Sequence, residues 1–259
     1  MKPDSALARI ARLVAGAFII GFVAGWAIVA SGLFAPPAGE REEVVIIEDK
    51  IALVRVEGFI GDNVARALAD EIESIGKDPN VKGVLLYVNS EGGTASACYS
   101  VYSALDSVEK PVVAYIEHIG ASGGYLVSLA ADAIVASPFA EVAGVGATVF
   151  VGEAYVDEPP ERKVRSVPSG TLKDPLSDYY LSGDELEYFR KIAEDAENIF
   201  RAIVLEKRGL PNDFFDAGEQ EDYERYVVAE GGVLLAHRAL ALGLIDRVGT
   251  YDTARETIT

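Results

Sequence analysis

Pro111-Val112-Val113-Ala114-Tyr115-Ile116-Glu117-His118-Ile119-Gly120-Ala121-Ser122-Gly123-Gly124-Tyr125 is the stretch on which the fold turns. Pro111 to Ile116 is short, branched and apolar, the pattern of a buried strand. Tyr125 to Ala131 reads as helical, so Ser122 sits between small residues at a strand-to-helix turn. There its hydroxyl is exposed and the neighbouring amide has no helical acceptor.

Upstream, Ile51 to Val56 reads as a strand, and Asp62 or Asn63 as the cap of a helix with Val64, Leu68, Ile72 and Ile75 on its inner face, ending at Gly76. Val84 to Val88 is a second buried-strand run, leading into Asn89-Ser90-Glu91-Gly92-Gly93. Residues 94–107 are helical in pattern, with Val101, Ala104, Leu105 and Val108 inward, and Ala133 to Ala136 is again short and apolar. Strands alternating with helices at this spacing predict an α/β fold of βαβ units with a mostly parallel sheet. Ligands in such sheets bind beyond the carboxyl ends of the strands, where both glycine-rich turns fall.

Downstream, residues 150–180 lack periodicity and hold Pro159, Pro160, Pro168 and Pro175, which predicts an extended excursion. Ser182 with Glu185 forms a capping box. It opens a long helix with Leu186, Phe189, Ile192, Ala196, Ile199 and Ile203 expected inward, closed by Gly209 and Pro211. A last unit, Val233 to Leu242, passes through Gly243 into Leu244-Ile245 and a terminal helix.

At the front, Leu13 to Gly39 carries no charge, and Leu13 to Phe34 is almost wholly apolar. About 20 apolar residues cross a bilayer as a helix. Lys2, Arg9 and Arg12 precede the run and Glu40, Glu42 and Glu43 follow it. That asymmetry keeps the N-terminus cytoplasmic and sends the bulk of the chain outward. A cleaved secretory signal is the rival, with Ala30-Ser31-Gly32 as its cleavage site. Its apolar core is only ~7–15 residues long, so length favours a retained anchor. The expected organisation is a cytoplasmic N-terminus (1–12), a transmembrane helix (13–35), a Pro36-Pro37 linker (36–43) and a folded domain (44–259) in the cell membrane's outer compartment.

Of the 259 residues, 23 are basic and 41 acidic. Beyond residue 39 the balance is 20 to 40, a formal charge of −20. Such a surface lacks the basic footprint that nucleic acid requires. The single Cys98, beside Ala95, Ala97 and Val101, reads as a small core residue. No His/Cys/Asp/Glu cluster has metal-ligand spacing, so neither a metal nor another cofactor is expected.

Acyl transfer needs a nucleophile, a base and donors for the developing oxyanion. Ser122 supplies the first, the Gly123 amide is one donor, and Gly92-Gly93 offers another because a missing Cβ allows close backbone approach. The base candidates are a lysine and two histidines. Lys173, in Ser169-Gly170-Thr171-Leu172-Lys173-Asp174, acts as a base only where burial lowers its ordinary pKa of ~10.4. His118 and His237 read as structural or surface residues. A tight packing turn at Ser122 and a solvated Lys173 remain the plain alternatives.

In order, five segments resemble the signal peptide peptidase A (SppA) family of membrane-anchored serine proteases: Val81-Lys82-Gly83-Val84-Leu85-Leu86 with its paired glycines, Lys110-Pro111-Val112-Val113-Ala114, Ala121-Ser122-Gly123-Gly124-Tyr125, the Lys173 segment, and Ala241-Leu242-Gly243-Leu244-Ile245-Asp246. The resemblance covers about Ile51 to Thr259 and implies a Clp protease/crotonase-like fold. It also implies Ser122 as nucleophile, Lys173 as general base, and Gly93 with Gly123 as oxyanion hole. Further implications are a homo-oligomeric ring, no cofactor, and remnant signal peptides or other apolar, membrane-proximal segments as substrates. Three departures stand out. Glu91 replaces the proline usual before the paired glycines, no serine lies near Gly144 to contact the lysine unless Thr148 serves, and residues 150–167 are acidic. A crotonase-like acyl-CoA enzyme and a non-catalytic membrane scaffold are the rival readings.

Overall fold

Alternation in three neighbouring apolar strands builds the centre of the molecule. The computed structural model describes residues 45–47, 51–153, 163–168 and 183–258, with side chains described for 51–150 and 187–258. The apolar run 13–35, the linker 36–43, Ser182 and Lys173 lie outside the described residues. Among the described residues no helix is long and apolar enough to cross a membrane.

Strand β2 (Ile51–Ile60) pairs in parallel with β3 (Gly83–Gly93), which pairs in parallel with β4 (Val112–Ala121). Side chains at alternate positions face opposite sides. Val54, Val56, Leu86, Val88, Ala114 and Ile116 join the main core, while Leu53, Leu85, Val113 and Tyr115 face a smaller cluster that includes Ala254. Helices α1 (Asp62–Lys77) and α2 (Ala95–Asp106) contribute to the main core, and the terminal helix α7 (Tyr251–Thr257) contributes to the other. Strand β1 (Val45–Ile47) is antiparallel to β2 at the sheet edge.

β4 divides the sheet. Val113 to Ile116 pair with β5 (Ala133–Ala136), which pairs with β10 (Arg247–Val248); Ile119 to Ala121 pair instead with β6 (Glu141–Ala143). β6 pairs antiparallel with β9 (Val233–Leu235). The fork leaves the end of β4, and the turn after it, between separate strands. Helix α3 (Gly123–Ser128) begins there.

The α/β architecture with a mostly parallel sheet agrees with the sequence reading, and local details differ for identifiable reasons. α1 is capped by extended Gly61, with Asp62 already in its first turn, and it buries Ala65, Leu68, Ile72 and Ile75 while Val64 faces solvent. Lys110 Nζ donates to the Ile75 carbonyl at 2.6 Å and to that of Asp78, satisfying acceptors at the end of α1. Of the extended excursion expected over 150–180, the described part is an antiparallel pair, β7 (Thr148–Glu153) and β8 (Lys163–Pro168).

The long helix α4 (Gly183–Arg208) is rotated from its expected face. Ala193, Glu197, Phe200 and Val204 are buried, whereas Ile192 and Ile199 are exposed, Ile199 to 61%. A buried carboxylate at Glu197 is tolerated because Arg201 binds it at 2.6 Å. Arg201 also donates to Ala229 O at 2.6 Å, at the end of α5 (Tyr223–Ala229), and lies over the Phe215 ring.

α4 ends on a second ion pair. Arg208 binds both carboxylate oxygens of Asp246, at 2.8 and 2.9 Å, and donates to Gly243 O at 2.8 Å. Asp246 Oδ2 also accepts the Ile134 amide at 2.7 Å, so one carboxylate ties α4 to β5. Burial alone would raise its pKa, but Arg208 and the Ile134 amide outweigh burial and hold it below the usual carboxylate range. A depressed folded-state pKa contributes stability above the unfolded value, and that contribution is lost as pH falls through the folded value. Asp246→Asn is therefore expected to cost about 1–2 kcal/mol at neutral pH, allowing for partial exposure of the carboxylate. The melting temperature falls by about 2–8 °C. The gap from wild type should close below about pH 4 in pH-dependent thermal melts.

Candidate active site

Ser122 joins β4 to α3 with backbone angles φ 52° and ψ −123°. A side chain rarely adopts positive φ, and holding it there costs of order 1–3 kcal/mol. The angles match those of the first central position of a type II′ turn. Ser122 is half-buried; its amide donates to Ala143 O at 2.8 Å and its carbonyl accepts from Leu126 N at 2.9 Å. Ala143 is the other described non-glycine residue with positive φ, at 88°. Two strained residues thus face each other across the β4–β6 ladder, joined by a hydrogen bond.

The paired glycines come against this turn. A Cβ on Gly92, whose φ is +109°, would lie 2.7 Å from the Gly123 amide nitrogen and 3.1 Å from Ser122 Cβ. A Cβ on Gly123 would overlap Cys98 Sγ at 2.2 Å and lie 3.2 Å from the Gly93 amide nitrogen. The two turns are therefore in backbone contact, and Cys98, buried on α2, forms the wall behind them. The Ile60 carbonyl accepts from the Thr94 amide at 3.1 Å. In a parallel ladder this directs the intervening Gly93 N–H away from β2, toward α3. Gly123, the first residue of α3, has no intrahelical acceptor for its own N–H. At six residues the helix offers its free amides more than a long macrodipole.

Two further residues hold this arrangement, and neither stood out in the sequence. Ser90 is fully buried within the broken β2–β3 ladder and binds both strands. Tyr125, one turn after Ser122, is fully buried and donates its hydroxyl to Leu244 O at 2.6 Å. Burial raises its phenol pKa well above the ordinary value. The Gly243-Leu244-Ile245-Asp246 segment is thus bound to α3 through Tyr125 and to α4 through Arg208.

Neither histidine faces inward. His118 lies on β4, 73% exposed, with Nε2 3.7 Å from Glu117 Oε2, and His237 is exposed on α6 (Ala236–Ala241). Ser122, Gly93 and Gly123 come together; Lys173 lies outside the described residues.

The family model for peptidase family S49 matches residues 104–259, more than half of the chain. The chain belongs to peptidase family S49. The Clp protease model matches residues 43–143, so the two matches together span the sheet and the Ser122 turn. Among relatives of this S49 chain, a protein named as a protease from Methanocaldococcus jannaschii is 31% identical over 73% of the chain and 59% of its own length. The chloroplastic serine protease SPPA of Arabidopsis thaliana is 28% identical, covering 83% of the chain and 32% of that protein. Protease 4 of Haemophilus influenzae is 27% identical, covering 83% and 35%. The chain therefore spans less than two thirds of each of these relatives. A ClpP1 mutant from Listeria monocytogenes superposes with a TM-score of 0.52 at 15% identity, covering 80% of the chain and 94% of that protein, which establishes the ClpP-like fold.

The contact between the turns yields a prediction. A Cβ on Gly93 would lie 2.0 Å from Ile60 O, a backbone atom that cannot rotate away. Gly93→Ala is expected to lower stability by about 1–3 kcal/mol or more, measured by urea denaturation.

Proposed function

We propose that this S49 chain is a membrane-anchored serine endopeptidase acting through a Ser122–Lys173 dyad. The observation that carries the reading is the strained Ser122 turn, pressed against two glycine-rich amides in a chain of this family. Ser122 Oγ attacks the scissile carbonyl carbon while the neutral Lys173 Nζ takes its proton. The carbonyl oxygen becomes an oxyanion, to which the Gly123 and Gly93 amides donate; one such donor is typically worth about 2.7–4 kcal/mol of barrier. Collapse breaks the C–N bond, and the lysine ammonium returns the proton to the leaving amine. Water then hydrolyses the acyl ester by the same route.

The substrates we propose are remnant signal peptides and other apolar, membrane-proximal or unfolded segments. The apolar run 13–35 supports a single-pass anchor with a cytoplasmic N-terminus and an extracytoplasmic catalytic domain. Exposed Tyr188, Ile192 and Ile199 on α4 support a homo-oligomer, since a second copy would cover this apolar surface.

The test uses full-length protein in detergent and a fluorogenic apolar peptide. Ser122→Ala and Lys173→Ala should each reduce kcat by about 10³-fold or more, while His118→Ala leaves it near wild type. A fluorophosphonate should label wild type and not Ser122→Ala. Activity should climb with pH as the lysine loses its proton. Loss in the histidine variant alone overturns the dyad, and unchanged cell phenotype and oligomer size for Ser122→Ala favour a scaffold.

A further inference from the structure

The β2–β3 ladder breaks just before the paired glycines. Glu57 pairs with Asn89, but the next pairing is Phe59 with Gly92, leaving Gly58 opposite both Ser90 and Glu91. Gly58 and Gly92 have φ of +64° and +109°, so both strands leave regular geometry together. Such a bulge leaves backbone groups without ladder partners. Ser90 supplies them from its side chain: its hydroxyl donates to Gly58 O at 2.6 Å and accepts from Gly92 N at 3.0 Å. Its main chain reaches the other way. Ser90 pairs with Gly120 of β4, and a Cβ on Gly124 would lie 2.4 Å from Ser90 O.

We propose that Ser90 is a positioning residue for peptide-bond hydrolysis, setting the orientation of the Gly93 amide through the bridge Gly58 O–Ser90 Oγ–Gly92 N. It touches no substrate; it acts through the Gly92-Gly93 peptide. The inference rests on the reading that this amide and that of Gly123 receive the oxyanion. Catalysis falls steeply with small displacements of such groups. The hydroxyl's two bonds fix the Glu91–Gly92 peptide, from which the next peptide, with the Gly93 N–H, starts. Without it, the Gly92 amide is buried with no side-chain acceptor, and two glycine dihedrals next to the site are free to relax.

Ser90→Ala removes the bridge, and Ser90→Cys removes its strength while keeping a heavy atom in place. With the apolar peptide, both should lower kcat about 10- to 100-fold with KM within twofold of wild type. A peptide boronate, whose adduct carries an oxygen at the oxyanion position, should lose affinity in parallel. Thermal melts compare the folded fractions. Wild-type kcat in either folded variant overturns the proposal, as does lost activity with boronate affinity retained. Failure of both variants to fold also overturns it and assigns Ser90 to the core alone. If wild type is neither active nor labelled by fluorophosphonate, the underlying reading fails and this one with it. If wild type is labelled and Ser90 variants keep full kcat, only the positioning role falls.

Discussion

Backbone contact between two glycine-rich turns is the constraint around which the rest of the site is arranged. Gly92-Gly93 from the end of β3 meets Ser122-Gly123 at the start of α3 at distances that exclude even one additional carbon. Such an approach brings peptide N–H groups close to a serine side chain, but it requires chain bends that ordinary residues resist. Ser122 and Ala143 both hold positive φ, each at a cost of order 1–3 kcal/mol. Surrounding interactions offset that cost. Ser122 N donates to Ala143 O, α3 continues immediately from the turn, and Cys98 fills the space behind Gly123.

The forked sheet provides that surrounding structure. Because β4 pairs with β5 along one half and with β6 along the other, its last residue emerges where two sets of strands diverge. The elements behind it are joined by polar contacts, buried at Tyr125 and partly exposed at Arg208 and Asp246. Tyr125 reaches Leu244, while Arg208 and Asp246 bind the same segment to α4 and β5. These contacts give a physical role to Gly243-Leu244-Ile245-Asp246, which in the sequence is only a recognisable motif. That segment supports α3 from behind through the Tyr125–Leu244 hydrogen bond.

Legibility differed between elements, and the reasons are physical. Strands buried on both faces, such as Val84 to Val88, are readable because every residue must be apolar. The Ser122 turn was readable because small residues cluster where a strand gives way to a helix. α4 was not readable in full. Two apolar sets, displaced by one residue, run along it: Ile192, Ala196, Ile199 and Ile203 beside Ala193, Phe200 and Val204. Periodicity favoured the first. The second is buried because Phe200 packs in the core and Arg201 neutralises Glu197, a pairing that hydrophobicity does not register. Asp62 resembled a cap, but the backbone turns at Gly61, placing Asp62 inside the first turn of α1.

The order of strands and helices, the acidic surface and the identity of the residues at the Ser122 turn follow from sequence, since local propensity and side-chain alternation act over a few neighbouring residues. Tertiary structure alone decided which turns touch, which face of α4 is buried, and that Ser90 spans a broken ladder. Those outcomes depend on contacts between segments such as 58 and 90, or 122 and 143, which only the folded sheet brings within hydrogen-bonding distance.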